Sequence, residues 1–379
     1  MTILIGSTWD HPRGFGPLAG CSALYAERTG VEIRWSRRSL QAFADRPLSL
    51  LARDNDLIVI DHPHLGEAVA EGSLLPFNGL DRRSKLTALS EASIGPSFES
   101  YSLAGRQWAL PIDAAAQVCA YRPDRIDAPS TWDDVIRLAQ ERTVLFPLKP
   151  VDAIDSFLTL CANLGAPLPV TGSWIDRPVA AAAFDAIQAV ARHVPDCCFD
   201  QDPVATLEML SEEGPFTFAP LLFGYNNFAR QGFREHRLAF GDMPALGNIG
   251  CAGSILGGAG LAISANCREP EVAADFAFWI TGGTVQSGSY FSYDGQPAHA
   301  AAWSDEAVNA AAGGFFRDTR ATMDAAWLRP RSAGFLDFAD LAGDILNAAL
   351  RGHVARGAAL DALERAYNRG GEPRSRRYA

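Results

Sequence analysis

Two short motifs that combine aspartate with histidine follow two apolar segments near the N-terminus. Trp9-Asp10-His11-Pro12-Arg13-Gly14 comes after residues 2–7, and Asp61-His62-Pro63-His64 comes after residues 56–60. If both segments are parallel strands of one sheet, their carboxyl ends lie at the same edge, where α/β proteins bind their ligands. The spacing therefore gathers three of the seven histidines at one edge of the predicted sheet.

These side chains are compatible with three roles, which the sequence leaves open. They can hydrogen-bond a polar ligand, with the Trp9 ring as a stacking face. A histidine oriented by an aspartate can instead act as a general acid or base, or the histidines can hold a divalent metal. In the third interpretation they only cap helices and bond loop amides. The candidate ligand contacts are Trp9, Asp10, His11, Arg13, Asp61, His62 and His64; the catalytic candidates among them are His11, His62, His64, Asp10 and Asp61.

The elements that must position these motifs alternate between strand and helix. Apolar runs at residues 2–7, 31–35 and 56–60 are separated by helical stretches at 17–28 and 39–53. Strands without polar alternation, joined by helices, are typical of a parallel sheet covered on both faces. Further strands are predicted at 107–111, 117–121, 144–147, 216–222 and 261–264, and further helices at 65–71, 151–164, 270–280, 318–327, 335–352 and 355–369.

Composition excludes several classes of function. The chain has 379 residues, enough for two domains, and a net charge of −11 without a clustered basic surface, which argues against a nucleic-acid partner. No apolar stretch reaches the roughly 18–20 residues that would insert into a membrane. The N-terminus lacks the features of a signal peptide, and the seven cysteines form no CxxC pair. We expect a cytoplasmic protein with reduced thiols, or a periplasmic one if a signal peptide has been removed.

No motif of a covalent nucleophile or a nucleotide site is found. The glycine-rich segment at residues 251–260 lacks the Gly-Lys-Ser/Thr ending of a phosphate-binding loop. Gly-x-Ser-x-Gly and HExxH are also missing from the sequence. We therefore expect no cofactor, apart from a possible divalent metal at the histidine cluster.

Several segments, in order along the chain, resemble a known family. Tyr121-Arg122-Pro123-Asp124 with Pro129-Ser130-Thr131-Trp132-Asp133-Asp134 is similar to the family pattern Y-N-x-D…P-x-T-W-D-E. Gly105-Arg106-Gln107-Trp108-Ala109-Leu110-Pro111 resembles the strand of that family that leads into the first crossover, and Gly260-Leu261-Ala262-Ile263-Ser264 resembles its return strand. The chain thus resembles the extracellular solute-binding proteins of ABC importers, in family 1 with the sugar and maltodextrin binders.

This resemblance implies an α/β fold of the two-lobed, type II periplasmic-binding-protein kind. Each lobe is a mixed, mostly parallel sheet flanked by helices, and the lobes are joined by a hinge beside a central cleft. The implied lobes are residues 1–111 plus 258–320 and residues 112–257 plus 321–379. The resemblance implies further ligand contacts: Tyr225 as an aromatic platform, Asn226 or Asn227 as an amide, and Arg329 and Arg331. Asp113, at the crossover, and Tyr293, in an aromatic loop at the rim, are further candidates for ligand contact. Turn formation, helix capping, a hinge hydrogen bond, ordinary packing or a solvated helix end are the alternatives for these residues. An inward-pointing arginine among these would indicate an anionic ligand.

The implied function is a solute-binding protein that closes around a sugar, a polyol or a carboxylate, with a transporter or a regulatory protein as partner. Two other functions stay open. One is a cytoplasmic enzyme, a lyase, isomerase or hydrolase, that uses the Asp-His cluster. The other is a cytoplasmic ligand sensor.

Overall fold

The computed structural model describes residues 2–39, 47–80, 82–170 and 172–369. The strands are β1 (Ile3–Trp9), β2 (Glu32–Arg38), β3 (Leu57–Ile60), β4 (Leu74–Leu75), β5 (Ser102–Leu103), β6 (Arg106–Gln107), β7 (Ala109–Tyr121), β8 (Phe218–Phe223), β9 (Ala239–Gly241) and β10 (Leu256–Ser264). The helices are α1 (Pro12–Thr29), α2 (Leu48–Asp54), α3 (Leu65–Ala70), α4 (Arg83–Ala92), α5 (Trp132–Gln140), α6 (Pro150–Asn163), α7 (Arg177–Ala191), α8 (Pro203–Leu210), α9 (Pro270–Ile280), α10 (Gly283–Val285), α11 (Ala300–Ser304), α12 (Glu306–Ala311), α13 (Phe315–Asp318), α14 (Arg320–Asp324), α15 (Phe335–Leu350) and α16 (Arg356–Asn368). The predicted helix at 39–53 falls partly on residues 40–46, which lie outside the described residues.

Helix α1 begins at Pro12, five residues before the predicted start at residue 17. His11 is its N-cap, and the proline occupies the first helical position, where a missing N–H costs no hydrogen bond. The helix ends at Gly30, which has the left-handed conformation of a C-cap. Part of the first Asp-His motif is therefore the first turn of a helix and not a loop.

Two strands are longer than predicted. The runs at 107–111 and 117–121 belong largely to one continuous 13-residue strand, β7, whose first twelve residues are all buried. The second half of the glycine-rich segment, from Leu256 to Gly260, is the first half of β10. Gly258 there has φ +107°, and a Cβ at this position would lie 2.4 Å from the carbonyl oxygen of Asp113. Glycine is required because β10 approaches the β7 backbone so closely.

The chain divides into two compact units, one formed by Met1–Ala115 and Gly257–Val308 and the other by Ala116–Leu256 and Asn309–Ala379. We call them unit 1 and unit 2. The chain passes from one unit to the other within β7, within β10 and within α12. The predicted lobe boundaries at 111/112, 257/258 and 320/321 stay a prediction.

Unit 1 contains a mixed sheet in the order β2-β1-β3-β10, with β7 beside β10. β1 pairs in parallel with both β2 and β3, whereas β10 runs antiparallel to β3. All four residues of β3 are buried because helices cover both faces of the sheet. Apolar residues of α1, β1, β3, β10 and α9 form the main core of this unit.

Unit 2 is centred on the second half of β7, which pairs antiparallel with β8 and with β9. Its core joins Trp132, Phe146, Phe157 and Phe184, and the buried helix α6 packs against α15 and α7. The α/β class and the mixed sheets agree with the predicted fold. In the part of the chain that the structure describes, no helix is both long and apolar enough to span a bilayer.

Candidate functional site

The two Asp-His motifs follow neighbouring strands of unit 1. β1 and β3 are parallel, with Gly6 paired to Leu57 and Ser7 to Ile58, so both strands end at the same edge of the sheet. The first motif leads from β1 into α1, and the second forms a one-turn helix, His62–His64, after β3. The structure thus places both motifs at the carboxyl edge of the unit 1 sheet.

Arg13 and Asp113 form a buried ion pair within this unit. The Arg13 guanidinium donates from Nε to Oδ2 at 2.7 Å and from Nη2 to Oδ1 at 2.5 Å. Only 4% and 1% of the two side chains are exposed. Burial raises the pKa of Asp113, and the charge and hydrogen bonds of Arg13 oppose that rise. The bidentate geometry matches a carboxylate with a planar guanidinium, so each charge has its counter-charge inside the protein.

The other residues of the first motif have local partners. His11 accepts a hydrogen bond at Nδ1 from the Arg13 backbone N–H at 3.1 Å, which makes it the cap of α1. The exposed Asp10 pairs with Arg37 at 3.2 Å. The Trp9 ring is buried and lies against the backbone of Gly14. Capping of α1 therefore accounts for the Nδ1 atom of His11.

The second motif is more deeply buried. Asp61 Oδ1 accepts from the His62 backbone N–H at 2.7 Å and lies 3.2 Å from His62 Nδ1. The His62 side chain has no exposed surface, and its ring meets that of Tyr101 edge-on at 6.4 Å. His64 is 7% exposed. Among the described residues, no three histidine, cysteine, aspartate or glutamate side chains are grouped so that they could hold a metal ion.

Tyr293, predicted at the rim, follows the π-helical turn Gln286–Tyr290 in unit 1. Its side chain is 40% exposed, while its carbonyl oxygen and ring pack closely against Gly16 and Gly20 of α1. The Tyr293 ring is thus partly accessible and is held by the helix that carries Arg13.

In unit 2, the predicted aromatic and amide contacts follow β8. Gly224 leaves the strand where the Val118 side chain and the Phe315 ring would lie within 3.0 Å of any Cβ. Tyr225 is then 8% exposed, and Asn226 and Asn227 begin the buried one-turn helix Asn226–Ala229. Asn226 accepts from Arg230 Nε at 2.9 Å, which fixes the orientation of its amide.

Arg329 lies at the same edge of unit 2. Its guanidinium donates from Nη1 to both carboxylate oxygens of Asp155, at 3.1 and 3.3 Å, and lies 5.8 Å from the centroid of the Phe223 ring at the end of β8. Both side chains of this ion pair are buried. Arg331 is half-buried in the following extended segment. Arg329 is therefore buried, with an internal carboxylate as its partner.

Sequence reasoning missed two aspartates of α6. Asp155 is the partner of Arg329, and Asp152, one turn earlier, is 4% exposed. Their spacing of three residues puts both on one helix face, which was the available signal. Asp152 lies in the first turn of α6, where an acidic residue is usually explained by the helix dipole, so the pair does not by itself indicate a site.

The comparisons with known proteins agree with this geometry. A sequence profile described as bacterial extracellular solute-binding protein matches residues 23–327. The maltose-bound MalE3 structure from T. maritima superposes with a TM-score of 0.83 at 16% identity, over 97% of this chain and 99% of that chain. No curated protein matches the sequence.

Two further similar structures carry smaller solutes. The ABC transporter solute-binding protein of Agrobacterium radiobacter K84 in complex with ribitol gives a TM-score of 0.77 at 16% identity. That of Thermotoga lettingae TMO bound with alpha-D-tagatose gives 0.79 at 15% identity. Both cover 97% of this chain and 98% of their own. The two-unit fold is therefore that of the solute-binding proteins, and the chain belongs to the bacterial extracellular solute-binding protein family.

Proposed function

We propose that this solute-binding protein binds a neutral sugar or polyol and delivers it to an ABC-type importer. The similar structures described as ABC transporter solute-binding proteins hold ribitol, D-mannitol or tagatose, and others hold maltose or maltotetraose. Aromatic and amide side chains at the carboxyl edges of the two units supply the stacking faces and hydrogen bonds that polyhydroxy solutes require.

One observation supports a neutral solute over a carboxylate. Arg13 and Arg329, two of the three arginines predicted to contact a ligand, are buried in ion pairs within their own unit. A carboxylate ligand would have to compete with Asp113 or Asp155 for a guanidinium that already has a buried partner. Replacing one partner of a buried ion pair leaves a desolvated charge behind, which costs several kcal/mol.

A thermal-shift panel tests this proposal. It compares maltose, ribitol, D-mannitol and D-tagatose with D-glucuronate and D-ribonate, and mass spectrometry checks every compound for chemical change. A neutral solute at a hundredfold excess over its Kd should stabilise the fold by about 2.7 kcal/mol and be recovered intact. The proposal would be contradicted if only the carboxylates stabilised the protein, or if none of the compounds did. Chemical conversion of a compound would favour the enzyme alternative.

The importer partner and the closure of the two units belong to the same proposal. The chain passes between the units within two strands and one helix, so a few residues there can act as a hinge. Small-angle scattering should show a smaller radius of gyration with the best neutral solute. Uptake of that solute by cells should fall when the gene is deleted. Delivery to an importer requires the protein to act outside the cytoplasmic membrane, so cell fractionation distinguishes this proposal from the cytoplasmic placement expected from the sequence.

A further inference from the structure

A group of charged side chains lies at the carboxyl edge of unit 2, and we call it the edge cluster. The chain before α6 runs parallel to β8, because Val144 pairs with Phe218 and the Leu145 N–H donates to the Phe218 carbonyl at 2.9 Å. Helix α6 therefore begins near the edge where β8 ends, close to the Tyr225 segment. The edge cluster consists of Lys149, Asp152, Asp155, Asp202 and Arg329.

Asp152 differs from the rest of the edge cluster. Arg329 and Asp155 bond to each other, and Asp202 caps α8 by accepting from the Ala205 N–H at 2.9 Å. The Oδ2 atom of Asp152 is buried and accepts no hydrogen bond from any residue that the structure describes. A buried acceptor without a donor is costly for the folded state, and such groups in native proteins call for an explanation.

The charges around Asp152 define what could approach it. Burial, together with the charges of Asp155 and Asp202, raises the pKa of Asp152 well above its usual range, whereas Lys149 and Arg329 act to lower it. The edge cluster thus contains three carboxylates and two cations, so its members carry no surplus of positive charge. An anion brought to Asp152 would meet carboxylates, whereas a hydroxyl or ammonium group would give its orphan oxygen a donor.

We propose that Asp152 hydrogen-bonds the solute and selects solutes that present a hydroxyl or a protonated amine over those that present a carboxylate or phosphate. This inference rests on the proposed function and narrows it to a residue and a solute chemistry. Polyols are the solutes whose every polar group can donate to such an oxygen.

The test combines affinity with stability of the solute-free protein. Asp152→Ala removes the carboxyl, Asp152→Asn removes only its charge, and Asp133→Asn is the matched control. Asp133 is also a first-turn aspartate in unit 2, but it is exposed. Calorimetric titrations measure each probe separately and compare two sets. The first set is ribitol and D-ribonate; the second is D-glucose, D-glucosamine and D-glucuronate.

We expect Asp152→Ala to lose about tenfold or more in affinity for the neutral probes, the loss of one or more hydrogen bonds to a charged or strongly polar group. Asp152→Asn should reduce the difference in affinity between each neutral probe and the corresponding carboxylate. Asp133→Asn should bind all probes with wild-type affinity. The melting temperature of the solute-free Asp152 variants should equal or exceed that of the wild type.

Two results separate the possible failures. Wild-type affinity in Asp152→Ala, or a lower melting temperature that marks Asp152 as a structural residue, would overturn this inference and leave the proposed function in place. If no probe binds the wild-type protein, the proposed function fails, and this inference fails with it.

Discussion

Asp113→Ala tests most directly how much the buried Arg13–Asp113 ion pair contributes to the stability of unit 1. The change removes the partner of the Arg13 guanidinium, which is 4% exposed and donates two hydrogen bonds to Asp113 at 2.7 and 2.5 Å. Each hydrogen bond to a charged group contributes about 1.5–3 kcal/mol, and breaking a buried pair from one side costs about 3–5 kcal/mol. We expect the free energy of unfolding to fall by that amount.

The assay is urea denaturation followed by tryptophan fluorescence and circular dichroism. Asp10→Ala is the matched control, since Asp10 also pairs with an arginine but both side chains are more than half exposed. It should lose less than about 1 kcal/mol. The double variant Arg13→Met/Asp113→Leu should recover much of the stability, because an apolar pair of similar size avoids the uncompensated charge. If Asp113→Ala is no more harmful than Asp10→Ala, the argument from burial is wrong.

Three further results are expected. Gly258→Ala should lower the free energy of unfolding by at least about 2 kcal/mol, because φ is +107° and the new Cβ would lie 2.4 Å from the Asp113 carbonyl oxygen. The control Gly105→Ala, where φ is +71° and the space is open, should lower it by about 1 kcal/mol, and equal losses in the two variants would refute the steric argument. Tyr225→Ala should weaken binding of the best neutral solute about tenfold in a calorimetric titration, while Tyr225→Phe should retain most of the affinity. Wild-type affinity in both variants would remove Tyr225 from the site. Because the pKa of Asp152 is raised in the folded state, the contribution of Asp152 to stability falls as pH rises above the ordinary carboxyl range. Asp152→Asn should therefore gain melting temperature over the wild type at pH 7 but not at about pH 3.5, and a gain that is independent of pH would contradict this.

Much of the fold could be predicted because its signals are local. The apolar run of β3 and the helix α9 between Pro270 and Ile280 follow directly from sequence pattern. The start of α1 was misplaced because His11 and Pro12 were interpreted as part of a functional motif, although both are ordinary signals of a helix N-terminus. Capping needs only one ring nitrogen of a histidine, so the sequence could not separate a capping role from a ligand-binding role.

The candidate site was less predictable because its partners are distant in sequence. Arg13 lies 100 residues from Asp113, and Arg329 lies 174 residues from Asp155. Each arginine was recognised as a possible ligand contact, but pattern and spacing say nothing about which carboxylate it will meet. Ion pairs of this kind are set by tertiary packing, and they change the expected charge of the solute.

The position of β10 in the sheet of unit 1 has a consequence for synthesis of the chain. β3 ends at Ile60, whereas β10, its neighbour in the sheet, begins at Leu256. At ribosomal rates of about 5–20 residues per second, the roughly 200 residues between them take about 10–40 s to emerge. Throughout that interval one side of the wholly apolar β3 lacks its native partner, so a nascent chain needs protection against wrong pairing there. Unit 1 gains its native sheet only after most of unit 2 has left the ribosome.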